Sequence, residues 1–183
     1  MPAPNADSTD KSITYWARAI GAARSGNVPE ARKNIAELET IRREMLKKKK
    51  PIYAQFAENA QKEAEAWVAH AVGNDDEAIK TLRALAESEE ATGDESEGIP
   101  AREMLADLLL DAKHPEQALA EYETDLKFNP NRFNGLYGAA RAAEMAGKSD
   151  RAATYYSQLV KNCEGSSSDR PELGEAKALL ARK

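Results

Sequence analysis

Thiols and long apolar runs are the features that this sequence has least of. Cys163 is the only cysteine among 183 residues, so the chain cannot form an internal disulfide or, by itself, a thiolate-based zinc site. A membrane-spanning helix requires a stretch of about 18 apolar residues. The sequence contains no such stretch, so we expect no membrane insertion. The first seven residues lack the basic and apolar regions of a signal peptide. We expect a cytoplasmic protein if the chain is complete; export stays open if it is a fragment of a longer protein.

Basic residues are also fewer than acidic residues. The chain has 26 lysines and arginines against 31 acidic residues, which gives a formal net charge of −5. Because nucleic-acid binding needs a basic face, no nucleic-acid partner is expected. Aromatic residues make up only 6% of the chain and the apolar share is rich in alanine, a composition that favours close helix packing over β-sheets.

Motifs for catalysis and metal binding are missing as well. The sequence contains no HExxH pair, no phosphate-binding P-loop and no nucleophile elbow. His70 and His114 are the only histidines, and Cys163 lies two turns after Tyr156 on an apolar stripe. We therefore predict no enzymatic activity, no catalytic residues, no cofactor and no metal site.

A 34-residue period is the clearest pattern present. Ala118 returns as Ala152 and Tyr122 returns as Tyr156, while Asn129-Pro130-Asn131 breaks the chain between them. Such a period is typical of stacked helix-turn-helix repeats, in which one unit cannot bury its apolar face alone. The period therefore predicts an all-α fold.

Glycine, asparagine and proline mark the ends of the predicted helices. Gly26, Gly73 and Gly147 follow apolar helical stripes, and Pro29 and Pro115 suit first-turn positions. About nine helices result. Residues 1–11 are expected to be a disordered lead-in, and 12–183 one domain, with helix pairs at about 12–50, 51–98, 99–131 and 132–163 and a C-terminal helix at 170–182.

In its spacing of small and aromatic residues, the chain resembles the tetratricopeptide repeat family. The fullest unit matches the family's two-helix pattern through Leu136, Ala139, Ala140, Ala143, Ala152 and Tyr156. The unit before it matches through Leu105, Ala106, Leu109, Ala118, Tyr122 and Pro130. The chain is also similar to the C-terminal part of larger bacterial proteins of this family. The resemblance implies a right-handed helical-repeat solenoid of about four helix pairs plus a C-terminal helix.

The spacing of the anchor alanines is uneven. Ala31 to Ala78 spans 47 residues, Ala78 to Ala118 spans 40, and Ala118 to Ala152 spans 34. The first interval is longer than the 34-residue period, and its extra residues fall where two helical patterns continue unbroken. Divided between two helices at about 3.6 residues per turn, these residues lengthen each helix by nearly two turns. We predict a protruding helical hairpin with Lys47-Lys48-Lys49-Lys50 at its tip, and an acidic loop at Glu90 to Gly98.

The family resemblance implies partner binding on a concave surface lined by the first helix of each pair. The residues that it places there are Trp16, Trp67, His70, Glu103, Asp107, Asn134, Tyr137 and Arg141. Exposed aromatic rings beside a few charges suit a peptide groove. The alternative is that Trp16 and Trp67 simply pack between the lengthened helices. Clamping of an acidic C-terminal peptide is disfavoured because most matching positions carry acidic or apolar residues.

Two charged segments have alternative interpretations. The lysine run, with Arg42 and Arg43 against Glu44, carries a local charge of about +5, which can attract an acidic protein or an anionic surface. It can also simply complement a helix dipole and keep the tip soluble. The acidic stretch from Glu87 to Glu97 offers oxygens to a hard cation, but it lacks EF-hand spacing, so we expect a solvated loop.

Two functions stay open at the level of sequence. The first is a protein-protein interaction scaffold that binds a protein or peptide segment in the concave groove of the solenoid. The second is a structural spacer or self-association module at the C-terminal end of a larger repeat protein, which makes a homo-oligomer one of the alternatives.

Overall fold

The computed structural model describes Pro2 and residues 6–92 and 98–181. These residues contain nine α-helices and no strand, which confirms the predicted all-α class. Consecutive helices contact one another as a helical repeat requires, from α1 to α3 and from α5 to α9. The helices are α1 Ser8–Arg24, α2 Val28–Lys47, α3 Pro51–Ala71, α4 Asp75–Thr92, α5 Ala101–Asp111, α6 Pro115–Phe128, α7 Phe133–Met145, α8 Ser149–Asn162 and α9 Pro171–Leu180.

The contacts divide the chain into two compact units, Met1–Ser88 and Glu89–Lys183. Each unit is described by itself, and the treatment of 12–183 as one domain stays a prediction. In the first unit, α1 contacts both α2 and α3. In the second, α5 contacts α7 as well as α6, so first helices of successive predicted pairs meet there too.

Helix ends follow the local signals in the sequence. The Asn27 side chain accepts a hydrogen bond from the Glu30 amide at 3.3 Å and Pro29 lies in the first turn of α2. Gly26, Gly73 and Gly147 have positive φ angles just beyond helix C-termini, a conformation that glycine adopts without a Cβ penalty.

The first helix starts earlier than predicted. It begins at Ser8, because the Asp7 side chain caps it by accepting a hydrogen bond from the Asp10 amide at 2.9 Å. An aspartate at this position satisfies one of the amide groups that a helix N-terminus leaves unpaired. Four residues of the predicted lead-in, 8–11, are therefore helical.

The second and third helices are lengthened as the alanine spacing predicts. α2 has 20 residues against 14 in α8, and α3 has 21 against 13 in α7. The difference is about two turns per helix. Lys48 to Lys50 form the turn between the two helices. The hairpin does not stand alone, however, because α1 also packs along it and Tyr15 contacts its buried cluster of Ile41, Met45, Ala54 and Ala57.

The acidic segment is partly helical rather than all loop. α4 extends to Thr92, so Glu89 and Glu90 belong to a helix. The Glu89 carboxylate accepts a hydrogen bond from the Ala101 amide at 3.0 Å, and Glu90 pairs with the Arg102 guanidinium. The prediction of a solvated loop is wrong for these two acids, because they hold the N-terminus of α5. Asp94, Glu95 and Glu97 lie outside the described residues.

The 34-residue period marks the core of the second unit. Ala118 and Ala152 are at most 5% exposed, and Tyr122 and Tyr156 at most 3%. Small residues on α7 let its neighbours approach closely: Gly135, Gly138, Ala139 and Ala140 are all buried. α9 joins this core through Leu173 and Ala176, which are 3% and 0% exposed.

Candidate functional site

Trp16 is a partly exposed aromatic ring that the first unit holds in one orientation. Its indole Nε1 donates a hydrogen bond of 2.5 Å to Glu63 Oε2, so α1 and α3 are joined at this point. Glu63 is 7% exposed, and the indole helps to satisfy its carboxylate. A ring fixed in this way loses little further freedom when a ligand packs on it.

Trp67 does not line a groove, contrary to the prediction. Its side chain is 1% exposed, and the Arg24 guanidinium lies 4.5 Å from the centre of its ring. The physical reason is that α3 contacts both α1 and α2, so its buried face is wider than the single stripe assumed from the repeat alignment. Packing between the lengthened helices, the alternative from the sequence, is the correct interpretation for this tryptophan.

His70 lies at the end of α3 and is tied to the start of the next helix. Its Nδ1 lies 2.7 Å from Asp75 Oδ1, and its ring meets Trp67 edge-on with 5.9 Å between the ring centres. Asp75 is the first residue of α4. The histidine therefore links two helices, and its exposed edge is all that a ligand can reach.

Glu103 is also internal, contrary to the prediction of a surface carboxylate. It is 1% exposed and accepts two hydrogen bonds from the Arg132 guanidinium, at 2.9 and 3.2 Å. The pair bridges α5 and the start of α7. A buried carboxylate is stable only when a cation or donor satisfies it, and Arg132 does so here.

Asp107 serves the interior of the second unit. Its carboxylate accepts a hydrogen bond from the Tyr122 hydroxyl. Burial, together with the adjacent charge of Asp107, raises the pKa of Tyr122 well above its ordinary value, so the phenol stays protonated and remains a donor. Asp107 is partly exposed, but one of its oxygens already has this internal role.

Asn134, Tyr137 and Arg141 follow one another along α7, as predicted. The C-terminal segment contacts the first two: Arg170 donates to Asn134 at 2.9 Å, and the Tyr137 hydroxyl donates to Glu175. Burial and then the hydrogen bond to Glu175 raise the pKa of Tyr137 to about 12. Arg141 is exposed and lies 5.9 Å from the centre of the Tyr137 ring.

Two internal features of the second unit escaped the sequence analysis. Asp125 is 2% exposed; one oxygen accepts a hydrogen bond from Asn129 at 3.0 Å, and none of the described residues donates a hydrogen bond to the other. Arg102 forms ion pairs with both Glu90 and Glu121. The signal for Asp125 was present, because it lies three residues after Tyr122 on the apolar face of its helix.

A shallow cavity of about 180 Å³ lies beside the α6–α7 turn of the second unit. It is lined on one side by Pro130 and Asn131 and on the other by Tyr155 and Gln158. The Tyr155 hydroxyl donates to Glu123 at 2.8 Å, and the Asn131 oxygen accepts from Gln158 at 3.2 Å. Four of the polar side chains at this cavity, those of Glu123, Asn131, Tyr155 and Gln158, thus already bond within the chain.

Metal-binding and membrane-spanning features were the other kinds of site that these residues could have formed. Residues 6–92 and 98–181 contain no cluster of histidine, cysteine and acidic side chains that could hold a metal ion. None of their helices combines the length and the apolar character needed to cross a bilayer. Comparisons of the chain with protein-family models, with curated proteins and with solved structures found no match.

Proposed function

We propose that the protein is a non-catalytic, tetratricopeptide-like interaction scaffold that binds a partner segment on the first helices of its pairs. Trp16 on α1 and Tyr137 on α7 are the aromatic residues that remain partly exposed among those expected to bind. The observation that carries the proposal is that each ring is fixed by a hydrogen bond to a glutamate of a later helix, Glu63 on α3 for Trp16 and Glu175 on the C-terminal helix α9 for Tyr137.

Rings held in this way suit recognition for an energetic reason. Binding hot spots are rich in tryptophan, tyrosine and arginine, and the two aromatic side chains give a large contact area for few rotatable bonds. Arg141, exposed beside Tyr137, adds a cation that can pair with an acidic group of a partner. Trp67 and Glu103 leave the proposed contact set, because both are buried. His70, Asp107 and Asn134 are secondary contacts, since they would bind through polar atoms and one such atom of each is already bonded within the chain.

A displayed library of random peptides tests this function. Peptides selected on the full chain would be measured by fluorescence anisotropy against the wild type, Trp16→Ala and Arg141→Glu. Loss of a hot-spot residue costs at least about 2 kcal/mol, so we expect binding to weaken about 30-fold in at least one variant. Arg32→Glu, a matched charge reversal at an exposed position of α2, is the control and should bind like the wild type.

The outcome that would contradict this proposal is enrichment of peptides that bind all three variants equally, or no enrichment at all. Self-association is the alternative, and Phe128 and Met145 favour it, since they are 65% and 43% exposed. Light scattering over a range of concentrations separates the two functions, because a concentration-independent monomer opposes self-association.

A further inference from the structure

The end of the α2–α3 hairpin carries an apolar surface that the fold does not use. We call this surface the hairpin end and define it as Leu46, Lys47 to Lys50, Ile52, Tyr53 and Phe56. Ile52 is 81% exposed, Leu46 51%, Tyr53 46% and Phe56 36%. Large apolar side chains grouped in this way at a surface mark an interaction site more often than scattered ones do.

The buried cluster of the hairpin does not include these side chains. Its core here is formed by Ile41, Met45, Ala54 and Ala57, which are at most 7% exposed. Ile52 and Phe56 lie four positions apart, and Tyr53 lies three from Phe56, so the three share one face of α3. That face is distinct from the one that Ala54 and Ala57 bury. The hairpin end is therefore apolar for a reason other than the stability of the first unit.

Four consecutive lysines separate the apolar residues of the two helices. All four are exposed. Lys48 pairs with Glu44, whereas within the part of the chain that the structure describes no ion pair is seen for Lys47, Lys49 or Lys50. The Lys50 ammonium lies 5.4 Å from the centre of the Tyr53 ring, so charge and apolar surface meet directly. This positive end contrasts with the net charge of −5 of the whole chain.

We propose that the hairpin end binds the surface of membranes rich in anionic lipid. Lys47 ends α2 and Lys48 to Lys50 form the turn, so the four ammonium groups are spread over the end of the hairpin. A broad surface of negative charge can pair with more of them than one acidic group can. The surface consists of the ends of two helices and the turn between them. A lipid interface deforms around such an end, accepting Ile52 and Leu46 among the acyl chains and Tyr53 at headgroup level.

Binding of this kind needs no membrane-spanning helix. Apolar side chains enter the headgroup boundary to a depth of about 5–10 Å, while lysines keep their ammonium groups among the lipid headgroups. Each lysine near an anionic surface strengthens binding about fivefold at moderate salt. Three such lysines together account for about a 100-fold difference between anionic and neutral membranes.

Vesicle co-sedimentation of the full chain tests the proposal. Vesicles of phosphatidylcholine with about one third phosphatidylserine should bind the protein, and vesicles of phosphatidylcholine alone should bind it about 100-fold more weakly. Binding should fall as salt rises. Substitution of Lys47, Lys49 and Lys50 by glutamine should remove most of the preference for the anionic vesicles. Ile52→Ser with Phe56→Ser should weaken binding to them, with the salt dependence retained.

The matched control removes the same charge elsewhere. Lys80, Lys127 and Lys161 are exposed lysines outside the hairpin, and their triple substitution by glutamine should leave vesicle binding within about twofold of the wild type. Circular dichroism and thermal unfolding establish that each variant is folded. Equal losses in both triple variants would overturn the proposal, and so would a wild type that does not sediment with anionic vesicles. Binding of soluble poly-glutamate without binding to vesicles would also overturn it and assign the hairpin end to an acidic protein.

Discussion

The ring of Tyr122 lies directly against the backbone of Gly138. A methyl group on Gly138 would come within 2.5 Å of Tyr122 Cε1 and of the hydroxyl oxygen, which is far closer than carbon atoms approach in folded proteins. Tyr122 is itself 1% exposed and bonded to Asp107, so it has no room to move away. This contact joins α6 to α7 through a position that only glycine can occupy.

Gly138→Ala should therefore destabilise the protein. Overpacking a core costs about 1–3 kcal/mol, and the better helix propensity of alanine returns up to about 1 kcal/mol. We expect a net loss of about 1–2 kcal/mol in urea unfolding. Gly174→Ala is the control, because a Cβ on this helical glycine of α9 meets nothing within 4 Å, and it should raise stability by about 0.5–1 kcal/mol. Equal effects of the two substitutions would show that Tyr122 does not restrict this position.

Asp125→Asn should change how stability depends on pH. Burial, followed by the nearby charge of Glu103, raises the pKa of Asp125 from 3.8 to about 6. The folded state then binds more protons than the unfolded state between these values, so stability falls as pH rises from about 4 to 6 and stays lower above that window. The loss amounts to at most about 3 kcal/mol at neutral pH.

Urea unfolding of Asp125→Asn at pH 4 and pH 7.5 measures this effect. The variant should be more stable than the wild type at pH 7.5 and close to it at pH 4, since asparagine carries no charge to desolvate. Asp169→Asn, at an exposed aspartate of the same unit, should not alter the pH dependence. A constant difference between Asp125→Asn and the wild type at both pH values would be evidence against the titration.

Arg132→Met should expose the cost of leaving Glu103 buried without its cation. Removal of one member of a buried ion pair costs about 3–5 kcal/mol, and because the Arg132 side chain is 31% exposed, we expect the lower end of that range. The double substitution Glu103→Leu with Arg132→Met should recover most of the loss in chemical unfolding. Arg141→Met, at an exposed arginine within α7, should stay within about 0.5 kcal/mol of the wild type.

The two tryptophans should differ in fluorescence. Trp16→Phe leaves only Trp67, which is 1% exposed, so its emission should lie at short wavelength and acrylamide should quench it weakly. Trp67→Phe leaves only the partly exposed Trp16, which should emit at longer wavelength and be quenched more strongly. Circular dichroism verifies the fold of both variants. Similar quenching of the two would place Trp67 at the surface and restore the groove prediction for it.

The helix boundaries and helix lengths could be predicted because their signals in the sequence are local. Proline, glycine and asparagine impose helix ends through backbone geometry, and their positions agree with the observed boundaries at Asn27 and Gly73 within a few residues. The extra length of α2 and α3 followed from counting residues between anchor alanines. The signal for the helix start at Ser8 is also local, since the Asp7 side chain accepts a hydrogen bond from the Asp10 amide and caps the helix. The polar composition of residues 1–11 concealed this signal, because it equally suits a disordered lead-in.

The candidate site was less predictable, because burial depends on how many neighbours a helix has. Alignment with the repeat pattern of the family placed Trp67 and Glu103 on the partner-facing side of their helices. The packing of α1 and α2 on α3 encloses Trp67 instead, and Arg132, 29 residues further along the chain, turns Glu103 into half of an internal pair. No pattern within a single helix contains this information.

The sequence by itself determined that this protein is all-α, where glycine, asparagine and proline end several helices, and that a lysine-rich turn joins two long helices. It could do so because periodicity, capping and chain length act between residues that are close along the chain. Tertiary structure alone decided which polar and aromatic side chains remain exposed to solvent. Trp16 and Tyr137 stay accessible, Trp67 and Asp125 do not, and Ile52 faces outward, because exposure is set by contacts between helices that are distant in sequence.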